Sequence, residues 1–227
     1  SALVGRRGKR GEKNAARGAV GAGRLEAGED FRACRELADQ LAAERGLHLV
    51  PSYHDDLVVG VASYWLEFFE ATPLDVVYVP IGMGSGICAA VRARNALALS
   101  TRIVGVVSAH ARCYEQSLKS GTVVSAPVST LLADGLACRT PDANALEVIR
   151  AGVDEVIAVT DDEVAQAIRL YFSTTHNVAE GAAAAALAGA WQQREQIAGQ
   201  RIGLPLTGGN IDRATLARVL AGQPILP

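Results

Sequence analysis

Along most of the chain, apolar positions fall into two alternating rhythms. Phe31, Cys34, Leu37, Ala38 and Leu41 recur every three or four residues, which predicts a helix over 30–45 ended by Gly46. Leu47 to Pro51 reads as a short strand. Asp56 to Phe69 is an apolar, aromatic-rich helix, and Val76-Val77-Tyr78-Val79-Pro80 is a strand of largely β-branched residues. A helix over 87–97 follows, then a strand over 102–107 and a helix carrying Lys119. Next come a helix over 143–151, a strand over 155–159 and a helix from Asp161 to about Ser173. A long alanine-rich helix over 179–196, a strand over 201–206 and a helix over 211–220 complete the series. Strands alternating with helices of this length predict an α/β fold: a mainly parallel open sheet with helices on both faces.

The first 24 residues break this rhythm. Arg6, Arg7, Lys9, Arg10, Lys13, Arg17 and Arg24 are interleaved with glycine and alanine. Such a segment buries too little apolar surface to order itself and reads as a solvated arm. As a nucleic-acid arm it lacks aromatic residues for base stacking. Nucleic acid and anionic membrane are also disfavoured by the net charge of −2, and no apolar run reaches the roughly 20 residues of a membrane span. Cys34, Cys88, Cys113 and Cys138 are far apart with no CxxC pair, and read as buried, reduced thiols in a cytoplasmic protein. No metal site is expected.

Candidate chemistry gathers at glycines. Gly82-Met83-Gly84-Ser85-Gly86 lies between a strand and a helix, where glycines admit close backbone approach and the helix N-terminus offers free N–H groups. Ser85 adds a hydroxyl. The loop suits a phosphate, or is a tight turn with no ligand. Its spacing departs from the dinucleotide fingerprint G-x-G-x-x-G, no acid follows the next strand, and Gly-Lys-Ser/Thr is missing. A compact monophosphate such as pyridoxal 5'-phosphate remains open. A second cluster, Thr207-Gly208-Gly209-Asn210-Ile211-Asp212, closes the last strand, at the end where parallel sheets place ligands, or simply caps a helix.

Five motifs occur in order: Val79-Pro80-Ile81-Gly82-Met83-Gly84-Ser85-Gly86, Ala133-Asp134-Gly135, Asp161-Asp162-Glu163, Ala179-Glu180-Gly181-Ala182 and Thr207-Gly208-Gly209-Asn210-Ile211-Asp212. Together they resemble the fold-type II pyridoxal-phosphate enzymes, specifically the threonine/serine dehydratase and serine racemase group. The resemblance implies a tryptophan synthase β-like fold, with residues 1–50 a remnant of the smaller domain and 51–227 the large cofactor-binding domain. It implies dehydration of a small β-hydroxy amino acid with release of a keto acid and ammonia, by a homodimer. Gly82, Met83, Gly84, Ser85 and Gly86 would hold the phosphate. Gly135 and Glu180 would line the ring, though Glu180 also suits a surface helix N-terminus. Thr207 would face the pyridine nitrogen, where a hydroxyl leaves the ring neutral and favours β-elimination.

The chain also departs from the family pattern. The family's Ser-x-Lys motif, with the Schiff-base lysine, and its Ser-x-Gly-Asn-His loop have no match here. Lys9, Lys13 and Lys119 fall elsewhere, so no catalytic residue is assigned, and the chain is expected to be the C-terminal two-thirds of such an enzyme. Val107 and Cys113 stand where some relatives carry cation-binding acids. Ser52-Tyr53-His54 stands where some carry an asparagine facing the cofactor. His54, like His48, His110 and His176, reads as a surface or packing residue. Because the sequence ends soon after Asp212, no allosteric amino-acid-binding domain is expected.

Overall fold

The computed structural model describes residues 2–5, 23–26 and 31–225. They divide between two compact units, 1–52 and 53–227.

In the first unit, β1 (Ala2–Gly5) pairs in parallel with β2 (Gly23–Glu26), and α1 runs from Phe31 to Arg45. The ends of the basic segment are therefore strands rather than solvated arm, because their backbone groups satisfy one another; residues 6–22 lie outside the described residues. The strand expected over 47–51 does not form. Leu47 to Val50 are exposed and pair with no strand among the described residues, so nothing rewards extended backbone there.

The second unit holds a four-stranded parallel sheet in the order β5-β4-β3-β6: β3 is Val76–Pro80, β4 Arg102–Ser108, β5 Glu155–Val159 and β6 Ile202–Gly203. Val77 lies opposite Ile103, and Gly105 opposite Val156. Alternation along β3 and β4 supplies two cores. Val77, Val79, Ile103 and Val107 face α2 (Asp55–Ala71), α3 (Ser85–Ala96), α4 (Cys113–Ser120) and α5 (Ala143–Gly152). Val76, Tyr78, Val104 and Val106 face α6 (Asp161–Thr175), α7 (Gly181–Gln192) and α8 (Arg213–Leu220). A sheet buried on both faces needs the continuous apolar strands seen here.

Three boundaries differ from the sequence reading. β6 stops at Gly203: it is an edge strand, and Pro205 has no N–H to extend the ladder. α7 is shorter than the apolar run around it. Its first residue follows the cap Glu180, and its last, Gln192, precedes the C-cap Gln193, whose side chain is drawn between Tyr78 Oη (2.7 Å) and the Glu155 carboxylate (3.1 Å). α8 begins after Asp212 rather than at Ile211. All four cysteines are buried free thiols. Of the histidines, His54 caps α2 by accepting from Asp56 N–H, and the other three are exposed.

Candidate cofactor site

Parallel strands end together, and β3, being central, delivers its last residues into the middle of that edge. Ile81 N–H donates to Val106 O at 2.8 Å, which carries the β3–β4 register one residue past the strand. The chain then turns through Gly82-Met83-Gly84 into α3. Gly84 is the N-cap, with φ 107° and ψ −10°, a left-handed conformation that disfavours any side chain. It contributes no side-chain cap, and the first intrahelical bond runs from Cys88 N–H to Gly84 O at 3.0 Å. The N–H groups of Ser85, Gly86 and Ile87 therefore have no acceptor in the preceding turn and carry the positive end of the helix dipole.

Two buried aromatic donors hold this turn from behind. Tyr114 Oη donates to Met83 O at 2.6 Å, and Trp65 Nε1 donates to Gly86 O at 2.9 Å. Cys138 Sγ lies 3.6 Å from Met83 Sδ, and Cys113 Sγ donates to Cys138 O at 3.1 Å. Burial pushes the Tyr114 phenol up, the Tyr64 phenol to about 12 and the Cys88 thiol to about 11. At neutral pH these groups are protonated.

The other expected residues reach the same edge through close backbone approaches. A Cβ on Gly82 would stand 2.3 Å from Gly135 O, and one on Gly135 would stand 2.7 Å from Ala182 Cβ on α7. Gly135 sits in a short 3-10 turn, Asp134–Leu136. The segment before it is stapled to the start of α6, where Asp161 accepts from Thr130 Oγ1 and Leu131 N–H, each at 2.7 Å. At the head of α7, Glu180 N–H donates to Gly208 O at 3.0 Å, and a Cβ on Gly208 would come within 2.8 Å of the Glu180 carboxylate. Thr207, the residue before, is exposed. Gly82 thus meets Gly135, Gly135 meets Ala182 in the first turn of α7, and Glu180 at the head of that helix meets Gly208.

This cradle fits a phosphate: glycines at the close approaches, a left-handed glycine cap, unpaired helix amides and no side chain capping them. The sequence reading missed Tyr114 and Trp65. Trp65 sits in an apolar, aromatic-rich helix and Tyr114 in a short, mostly polar one, and in neither does the sequence pattern tell a ring that only fills the core from one that also holds a loop carbonyl. Lys119 stands elsewhere, its ammonium 2.6 Å from Glu115 on α4; Lys9 and Lys13 lie outside the described residues. A groove of about 840 Å³ between α6 and α7, lined by Arg169, Phe172, Leu187 and Trp191 among others, contains none of the expected site residues.

A doubly covered parallel sheet with a glycine cup at the head of the helix after its central strand defines a class of phosphate-binding α/β protein. Residues 2–208 match the family model described as pyridoxal-phosphate dependent enzyme, and the chain belongs to that family. It is 36% identical over 199 residues to an L-threonine ammonia-lyase of Geobacter sulfurreducens, covering 85% of this chain and 48% of that protein. It is 30% identical over 190 residues to an L-threo-3-hydroxyaspartate ammonia-lyase of Saccharomyces cerevisiae, covering 83% and 58%. The processed form of threonine deaminase isoform 2 from Solanum lycopersicum has the same fold: the TM-score is 0.89 at 24% identity, over 97% of this chain and 62% of that one. The chain thus spans roughly half the length of the curated relatives it matches (48% and 58%). Among the described residues, no helix is long and apolar enough to cross a membrane.

Proposed function

We propose that this chain is the cofactor-binding part of a pyridoxal-phosphate-dependent ammonia-lyase that converts a β-hydroxy amino acid to a keto acid and ammonia. The observation that carries the reading is the uncapped, left-handed Gly84 at the head of α3, with Met83 O and Gly86 O both held from behind. The names of the relatives supply the substrate class.

In this reading Gly82 to Gly86 hold the phosphate through backbone N–H groups. Glu180 and Gly135 border the ring. Thr207 presents a hydroxyl to the pyridine nitrogen, a partner that accepts or donates a hydrogen bond without delivering full positive charge to the ring. When bound, the cofactor supplies the electron sink that makes the substrate α-proton removable. Residues 1–50 represent the end of a smaller domain and 51–227 the large domain. The family resemblance extends the proposal to a cytoplasmic homodimer.

A second reading, a cofactor-binding part without turnover of its own, is favoured by Lys119, whose ammonium is tied to Glu115 rather than placed at the cup. Keto-acid release from L-threonine, L-serine and L-threo-3-hydroxyaspartate, with pyridoxal 5'-phosphate added to the chain, separates the two. The lyase reading expects release above that of free cofactor, none from L-alanine, and a rate well below the usual enzyme range of about 1–10³ s⁻¹. Release equal to that of free cofactor would leave the second reading.

A further inference from the structure

We propose that Tyr114 is a positioning residue for the anion cup: its hydroxyl fixes the Met83–Gly84 peptide so that the Gly84 N–H faces the bound phosphate. The inference rests on the reading of this loop as a phosphate site. In a trans peptide the carbonyl and the N–H point in opposite directions. Tyr114 Oη holds Met83 O at 2.6 Å, so the Gly84 N–H is directed away from the tyrosine.

Left to itself, this peptide has two orientations. A half-turn of the plane between two residues interconverts two turn types, and only the residue after it pays a steric penalty, through positive φ. At Gly84 that penalty is absent, and its φ of 107° and ψ of −10° lie close to the third position of the turn that requires it. Glycine permits the orientation without enforcing it. Tyr114 supplies the enforcement: it is 1% exposed, so water does not take over its bond, and its oxygen occupies the space a side chain at 84 would need, 2.9 Å from an added Cβ. The phenol thus joins the positive φ and Ala145 Cβ, 2.7 Å from the same point, in excluding a side chain at residue 84, and it sets which way the Gly84 amide points. Tyr114 follows Cys113 in the first turn of α4, on the sheet face that also carries α3, so the bond ties two βα units together at the edge where the cup opens.

The test compares pyridoxal 5'-phosphate with pyridoxal, which lacks the phosphate, by absorbance titration of the wild-type chain and Tyr114→Phe, with unliganded stability measured alongside. Removing one partner of a buried hydrogen bond is expected to weaken binding of the phosphorylated ligand about tenfold or more. The affinity for pyridoxal should stay within about twofold, so the preference for phosphate collapses. A residue that only packs would change both affinities together or neither, and a preserved preference in Tyr114→Phe overturns the inference while leaving the cup intact. If wild type itself shows no preference for the phosphorylated form, the phosphate reading falls and the inference with it. Should Tyr114→Phe not fold, the Gly84 amide resonance of the wild-type chain decides: inorganic phosphate must shift it, and an unmoved resonance beside shifted Ser85 and Gly86 amides overturns the inference.

Discussion

Gly82 and the carbonyl oxygen of Gly135 approach so closely that a Cβ at residue 82 would stand 2.3 Å from that oxygen. The atom it would meet is backbone, within a 3-10 turn whose preceding segment is fixed by Asp161, so the clash has no flexible side chain to absorb it. Gly82→Ala is expected to cost about 1–3 kcal/mol of stability, as overpacking does, and to displace the loop. Denaturant unfolding and cofactor titration of the variant check both; a variant as stable and as tight-binding as wild type contradicts the placement of Gly135.

Asp161 reaches from the first turn of α6 to hold Thr130 Oγ1 and Leu131 N–H, each at 2.7 Å. Hydrogen bonds to a charged acceptor contribute about 1.5–3 kcal/mol when shielded. These are partly exposed, so Asp161→Ala is expected to lose about 1–2 kcal/mol in denaturant unfolding. Because Thr130 Oγ1 also accepts from Ala133 N–H at 2.9 Å, the loss should spread to Gly135 and lower cofactor affinity. Amide exchange confined to residues 130–136 would report it directly.

Glu115 gives a pH signature. Its carboxyl is lowered from 4.5 to about 2, first by the hydrogen bonds from Arg112, with Lys119 also contributing, against opposing burial. A folded-state value below the unfolded one stabilises fully above about pH 4.5, and the contribution is lost as pH falls toward 2. Both partners are substantially exposed, which discounts the effect to about 1–2 kcal/mol. Glu115→Gln should therefore be less stable than wild type at pH 7, with the two converging between pH 4.5 and 2. A constant difference across that window contradicts the pairing.

How far the sequence carried follows from what each element depends on. β3 and β4 are doubly buried, and their runs of valine and isoleucine announced both the strands and the parallel sheet. Gly82 to Gly86 stood out because glycines between a strand and a helix have few other uses. The meeting of Gly82 with Gly135, and of Glu180 with Gly208, is set by how loops cross the sheet edge; motif order hinted at it but local pattern does not encode it. Leu47 to Val50 looked like a strand because local propensity says nothing about whether a partner exists. Trp65 and Tyr114 are core aromatics, and their second duty lies in one polar atom each, which no local pattern announces.

The most direct test places a charge where the phosphate should sit without disturbing the helix. Ser85 is the first residue of α3, and unlike Gly84 its φ is not positive. A carboxylate there favours the helix N-terminus by about 0.3–1 kcal/mol while repelling a phosphate dianion. Ser85→Asp, titrated with pyridoxal 5'-phosphate beside wild type, should lose about a hundredfold or more in affinity while its unliganded melting temperature holds or rises. Undiminished affinity in a folded Ser85→Asp protein would mean that the phosphate does not bind at the head of α3.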